Sequence, residues 1–236
     1  MSLNLHNISV NFGNLSVLKD VSMKFETGAI SVVLGPSGCG KTTILNLLTS
    51  MVKAQTGKLE GVGGHNFSYL FQEPRLLPWL TVKSNLKFVL GEIESKEKRE
   101  QLCSRFLEMT DLSDFSDWYP GKLSGGMKQR VAIARAFAHP SDIILMDEPF
   151  QALDLKLKLS LINQFISLWK GEKRTVVLVT HDIHEAITLA DKIFVLSEKP
   201  ASIVDSFNIE EPRERRIPGS SEYLKIESRL FRDLIE

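Results

Sequence analysis

The sequence predicts an α/β protein with a mostly parallel sheet core, an N-terminal antiparallel β subdomain and an inserted helical subdomain. Three observations predict it. Apolar residues alternate with period two near the N-terminus. Short, almost wholly apolar runs further on alternate with stretches of helical spacing. One long stretch, about residues 81–140, has helical periodicity throughout and interrupts that alternation.

Taken in order, Leu3, Leu5, Ile8, Val10 and Phe12, then Val21, Met23 and Phe25, mark half-buried antiparallel strands. Ile30–Leu34, Ile143–Met146 and Thr175–Thr180 are short and mostly apolar, as strands covered on both faces must be; Ile193–Leu196 is a fourth candidate. Helices are predicted where Ile44, Leu47, Leu48 and Met51 share one face, where Leu102, Phe106 and Met109 do, and where Leu155, Leu159, Ile162, Ile166 and Trp169 do. After Pro212 and Pro218, the residues Tyr223, Ile226, Leu230, Phe231 and Leu234 form a last amphipathic stripe. The predicted organisation is one domain over 1–236. Its core covers about 1–80 and 141–205, its helical subdomain about 81–140, and its C-terminal helical tail about 206–236.

Composition narrows the function classes. The 236 residues carry 29 Lys and Arg against 29 Asp and Glu, a formal net charge of zero. A chain built to coat nucleic acid would carry a basic excess, so no nucleic-acid partner is expected. With 43% hydrophobic and 25% charged residues, the chain has the mixture of an ordinary globular protein. Two cysteines, Cys39 and Cys103, rule out a disulfide framework. No secretory leader pattern opens the sequence and no apolar run approaches membrane-spanning length, so a cytoplasmic location is expected.

Residues 35–42 read Gly-Pro-Ser-Gly-Cys-Gly-Lys-Thr, the G-x-x-x-x-G-K-[ST] phosphate-loop pattern, between a predicted strand and a predicted helix. Gly35, Gly38 and Gly40 let backbone N–H groups turn inward around phosphate oxygens, and the helix N-terminus adds the positive end of its dipole. Pro36, Ser37 and Thr43 complete the cradle. Lys41 supplies a point charge to the β- and γ-phosphates, and Thr42 a hydroxyl to Mg²⁺. Cys39 reads as a small loop residue. The chain is thereby predicted to have a P-loop NTPase (RecA-like) core binding ATP and Mg²⁺.

The run Ile143–Met146 ends in Asp147 and Glu148, the acid-ended strand that pairs with a phosphate loop. Asp147 is expected to hold Mg²⁺ and Glu148 to polarise the attacking water as general base. Adjacent strand residues point to opposite faces, so both reach one site only if the strand end splays. His181 follows the strand 175–180; taken alone, such a histidine is as well a structural residue. Asp182 then caps the following helix, with Glu185 three residues on. Gln72 ends the run Phe67–Phe71, and spacing alone does not show whether its carboxamide reaches a metal or water.

Residues 123–130, Leu-Ser-Gly-Gly-Met-Lys-Gln-Arg, resemble the LSGGQ-type signature of ATP-binding cassette (ABC) proteins. Ser124 is a good helix cap, and Gly125 and Gly126 expose N–H groups at a helix start. The resemblance covers about residues 3–205 and assigns further roles. Phe12 matches the aromatic that stacks on adenine, Gln72 the Q-loop glutamine and Mg²⁺ ligand, and His181 the switch histidine at the γ-phosphate. Ala152, Leu153 and Asp154 match the D-loop. It implies an ATP-bound head-to-tail homodimer, in which Leu123, Ser124, Gly125, Gly126 and Met127 act on the partner's nucleotide.

Residues 72–79, Gln-Glu-Pro-Arg-Leu-Leu-Pro-Trp, resemble the Q-loop stretch of nitrate/sulfonate/taurine-type importer ATPases. The resemblance implies permease membrane subunits docking near residues 72–80, a solute-binding protein in the complex, and a place on the inner face of the cell membrane. Exposed apolar character at Leu76, Leu77 and Trp79 suits docking, with local core packing as the alternative. Gln151 departs from the Gly or Ser of many relatives. Iron–sulfur assembly and export are the competing functions. DNA-maintenance ATPases of this family need long coiled coils, for which the 106 positions between Lys41 and Asp147 leave no room.

Overall fold

A computed structural model describes residues 3–91, 93, 95–151 and 153–235. The chain folds as two compact units. One comprises Met1–His65, Leu145–Glu148 and Arg174–Glu236, the other Asn66–Ile144 and Pro149–Lys173.

In the first unit, β1 (Leu3–Phe12) pairs antiparallel with β2 (Leu15–Phe25) on one side and β4 (Thr56–Glu60) on the other. The register sets Leu3 against Phe25, Leu5 against Met23, Ile8 against Val21 and Val10 against Leu18, and all eight side chains are buried. Period two thus reports one covered face. Strand β4 is an edge strand whose Thr-Gly-Lys-Leu-Glu carries a single large apolar residue, so no alternation announced it. Gly57 lies within it at φ 89°, where an added Cβ would come within 2.4 Å of the His6 carbonyl oxygen.

The larger sheet of this unit runs β7 (Thr175–Thr180), β3 (Ile30–Leu34), β8 (Lys192–Leu196), β9 (Ile203–Asn208). The first three are parallel, with Ile30 opposite Val176 and Val32 opposite Ile193. All residues of β3 and β7 are buried, as expected of central strands. The last residues of β6 (Ile143–Asp147) lie beside β7. Strand β9 closes the edge antiparallel to β8, at the start of a stretch read from sequence as helical tail. Its Val204, Ser206 and Asn208 are exposed while Asp205, on the half-buried face, accepts from Arg229, so apolar and polar residues fall on both faces and hide the strand pattern. Helices α1 (Lys41–Leu48), α6 (Ile183–Leu189) and α7 (Ser221–Ile235) complete the unit. Helix α1 buries Ile44, Leu47 and Leu48 but ends before Met51, which is exposed.

The second unit holds β5 (Phe67–Leu70) next to the first residues of β6, with α2 (Val82–Val89), α3 (Lys96–Met109), α4 (Gly125–Ala138) and α5 (Leu155–Glu172). Each helix starts at a side-chain cap. Thr81, Ser95, Ser124 and Asp154 accept the backbone N–H three residues on, satisfying a donor with no intrahelical partner. Phe137, Phe150 and Phe165 form an edge-to-face aromatic core. Helix α5 buries Leu161, Ile162, Phe165, Leu168 and Trp169; of the predicted stripe Ile162 and Trp169 are buried and Ile166 is half-buried, while Leu155 and Leu159 face solvent. Its sequence is so rich in leucine that more than one apolar stripe satisfies the helical period.

Candidate nucleotide-binding site

The phosphate loop runs from the end of β3 into α1. Gly38 at φ 79° and Gly40 at φ 121° take backbone conformations that side chains disfavour. A Cβ on Gly40 would also lie 2.8 Å from Val17 Cγ1. Gly40 caps α1 without a side-chain hydrogen bond, so the first N–H groups of the helix stay available to an anion.

Lys41 is only 4% exposed. Its Nζ donates to the carbonyls of Gly35 and Pro36, both at 2.9 Å, and pairs with Glu148 Oε1 at 3.2 Å. Glu148 Oε2 lies 2.9 Å from His181 Nδ1. Thr42 Oγ1 donates to Asp147 Oδ1 at 3.2 Å. Both carboxylates therefore meet the phosphate loop although they are consecutive. The backbone explains how: Glu148 sits at φ 44°, in the left-handed region, which breaks the strand alternation and turns its side chain to the same site as Asp147. Its N–H donates to the Val179 carbonyl at 3.0 Å, which fixes the turn.

Around this cluster opens a cavity of about 270 Å³ whose lining includes Phe12, Val17, Gly40, Lys41, Thr42 and Glu148. Thr43 lines it too. The Phe12 ring is 51% exposed, leaving an aromatic face open to stacking. Pro36, Ser37, Gly38 and Cys39 line a neighbouring cavity of about 420 Å³. Burial, the largest influence, pushes the Cys39 thiol above its ordinary range, as suits a small packed loop residue rather than a reactive thiolate.

The residues on either side of His181 are tied into α6. The Thr180 hydroxyl donates to Glu185 Oε2 at 2.6 Å and accepts the Asp182 N–H at 3.1 Å. Asp182 Oδ1 accepts the Glu185 N–H at 3.0 Å and caps α6.

The other sequence-predicted residues lie in the second unit. Gln72 Nε2 donates to Gln151 Oε1. Residues 74–81 form a fixed platform. Arg135 donates to the carbonyls of Pro74 and Arg75, and Arg75 stacks over Phe71. Asn85, fully buried, accepts the Leu77 N–H and donates to the carbonyls of Leu77, Leu80 and Thr81. Trp79 is 69% exposed, whereas Leu76 and Leu77 are half-buried, so the exposed apolar character is chiefly tryptophan. Leu123 is buried and anchors the signature. Ser124 caps α4, Gly125 stands in open space and Gly126 packs beneath Leu157, while Met127 supplies the capped N–H. Asp154 caps α5 and Leu153 is half-buried; Ala152 lies outside the described residues. The supporting roles of Asn85 and Arg135 were missed from sequence. The one available signal was a carboxamide on the apolar side of a helix.

Residues 18–151 match the ABC transporter family. The chain belongs to that family. It is 39% identical over 210 residues to an aliphatic sulfonates import ATP-binding protein of Pseudomonas syringae pv. tomato, covering 88% of each chain. It is 36% identical over 228 residues to a nitrate import ATP-binding protein of Synechocystis sp., covering 93% of this chain and 86% of that one. A dimeric ATP-binding cassette in a post-hydrolysis state, bound to ADP and Pi, aligns with TM-score 0.74 at 29% identity, over 89% of this chain and all of the other. The protein cbiO1 from Clostridium perfringens aligns with TM-score 0.80 at 21% identity, over 98% and 96% of the two chains, a likeness of fold. This ABC protein is accordingly an ATP-hydrolysing, ATP-binding transporter subunit. Among the described residues no helix is long and apolar enough to cross a membrane.

Proposed function

We propose that this ABC ATPase energises uptake of a small solute, of the nitrate, sulfonate, taurine or vitamin-precursor kind, through partner permease subunits supplied with solute by a binding protein. The observation that carries the reading is the near full-length similarity to sulfonate and nitrate import subunits. The rigid platform over residues 74–81, with Trp79 projecting from it, supports docking of a permease there. Such docking puts the chain on the inner face of the cell membrane.

In this reading adenine stacks on Phe12, and the N–H groups of Ser37, Gly38 and Gly40 and of Lys41 and Thr42 at the start of α1, with the Lys41 ammonium, hold the polyphosphate. Glu148 accepts the proton of the water that attacks the γ-phosphorus, and His181 keeps its carboxylate oriented. Thr42 and Asp147 present a hydroxyl and a carboxylate oxygen 3.2 Å apart, hard donors that fit Mg²⁺. Mg²⁺ bound there would neutralise charge on the β- and γ-oxygens. Two copies close head to tail on two ATP, each offering Ser124, Gly125 and Gly126 to the other's nucleotide.

The test pairs kinetics with capture. Glu148→Gln binds ATP and forms a stable dimer but loses about 10²–10⁴ of its turnover, the ordinary worth of a general base. Lys41→Ala weakens ATP binding itself. Parental turnover in the first variant, or parental affinity in the second, removes those assignments. Affinity capture from solubilised native membranes returns a polytopic permease, and deleting the chain abolishes uptake of labelled sulfonate, taurine or nitrate. Capture of a soluble scaffold protein instead, with uptake intact, refutes the importer.

A further inference from the structure

Lys199 lies in the turn between β8 and β9, outside every motif described above. It lines both cavities that flank the phosphate loop, the one lined by Phe12, Lys41 and Glu148 and the one lined by Pro36–Cys39. The turn is not free to wander. Ala201, fully buried, donates to the Val17 carbonyl at 2.9 Å and accepts the Lys19 N–H at 2.9 Å. Ser197 and Ser202 close the turn's base, with backbone Ser197 N to Ser202 O at 3.0 Å and Ser202 N to Ser197 Oγ at 3.0 Å. Val17 and its neighbour Leu18 are the side chains that a Cβ on Gly40 of the phosphate loop would meet. The turn is thus tied to the cavity wall.

The two lysines at the site differ in what already neutralises them. Lys41 is engaged by Glu148 and two carbonyls. Among the described residues Lys199 has no hydrogen bond or ion pair, and it lines one cavity together with Cys39 of the loop. An ammonium group at a cavity that opens onto the phosphate loop, carried by a braced turn and without a counter-ion among the described residues, is matched by an anionic ligand.

We propose that Lys199 is a second cation of the nucleotide site and contacts the anionic polyphosphate of ATP or ADP. This rests on the reading of residues 35–43 as the phosphate cradle. It gives the β8–β9 turn a binding role and makes affinity depend on ionic strength.

The test is calorimetric titration of the full chain with ATP, ADP and AMP in the presence of Mg²⁺, at low and high salt. Lys199→Ala weakens ATP and ADP about five- to tenfold at low salt and much less at high salt, while AMP is nearly unaffected, since screening and charge-assisted bonding act on the polyphosphate. Lys199→Arg restores most of the affinity. The nucleotide-free melting temperature stays at the parental value because the side chain is exposed. Equal ATP affinity in Lys199→Ala and parent, with Lys41→Ala impaired, overturns the proposal and leaves the phosphate-loop reading standing. Equal affinity in all three removes the phosphate-loop reading itself. An equal loss for AMP and ATP also overturns the proposal, since the lysine then acts on something other than the polyphosphate.

Discussion

Arg216 makes the C-terminal segment part of the ATPase core, and removing it should unfold more than a tail. It is 7% exposed. Its NH1 donates to the carbonyls of Ile187 at 2.9 Å and Ala190 at 2.6 Å, and its Nε to the Glu211 carbonyl at 2.7 Å. Two of these acceptors end α6, the helix that begins just after His181. Arg216→Ala leaves three carbonyls without their charged donor. At about 1.5–3 kcal/mol for each hydrogen bond to a charged group, less what entering water recovers, the loss is about 3–5 kcal/mol. For a chain of this length that corresponds to a fall in Tm of roughly 6–20 °C. Burial, the foremost influence, lowers the Arg216 pKa to about 10. The folded state therefore holds this proton less tightly than the unfolded chain, and any pH dependence from it is a gain in stability above pH 10. Between pH 6 and 9 the group is charged in both states, so the difference between parent and variant is flat there. Urea unfolding followed by circular dichroism reads it directly. A loss under about 1 kcal/mol, or one that varies strongly across pH 6–9, refutes the reasoning.

The paired signature glycines separate fold from chemistry. A Cβ on Gly125 meets nothing within 4 Å, so Gly125→Ala should keep or slightly raise the melting temperature while ATP turnover falls; loss of stability would contradict the open environment. A Cβ on Gly126 comes within 2.4 Å of Leu157 Cδ2, so Gly126→Ala should cost about 1 kcal/mol, because the half-buried leucine can partly swing aside. Adding Leu157→Ala should remove that cost, and an additive double mutant would show that the two do not touch. Glu185, 2% exposed, accepts from the Thr180 hydroxyl next to His181, a placement that predicts a positioning role. Glu185→Ala should lower kcat with KM for ATP nearly unchanged, and Glu185→Gln, which keeps an acceptor oxygen, should recover most of it; a folded Glu185→Ala variant with parental kcat would rule the role out.

What was legible from sequence was whatever is buried on two faces or bound to a spacing. Strands β3 and β7 are apolar at nearly every position because every position is covered. The phosphate loop is legible because its chemistry requires glycine at fixed intervals. Strands β4 and β9 escaped notice because an edge strand needs only one dry face, and theirs is short. In residues 210–216, Glu-Glu-Pro-Arg-Glu-Arg-Arg, the charge run reads as a solvated surface. Nothing local marks Arg216 as the member that turns inward, since two of its three partners are carbonyls at the end of α6, more than twenty residues away. The opposite error occurs in α5, where exposed leucines mimic a core stripe. Gln151 shows a third limit: its bond to Gln72 joins residues 79 positions apart and no pattern in either segment foretells it.

The left-handed turn at Glu148 means that the proposed general base occupies a position the backbone would rather give to another residue. A non-glycine residue held there costs about 1–3 kcal/mol, a standing debit against stability. Asparagine or glycine would relax that tension, and either would remove the carboxylate. Drift at this position is thus drawn downhill toward inactive, more relaxed sequences, and only the need for turnover opposes it.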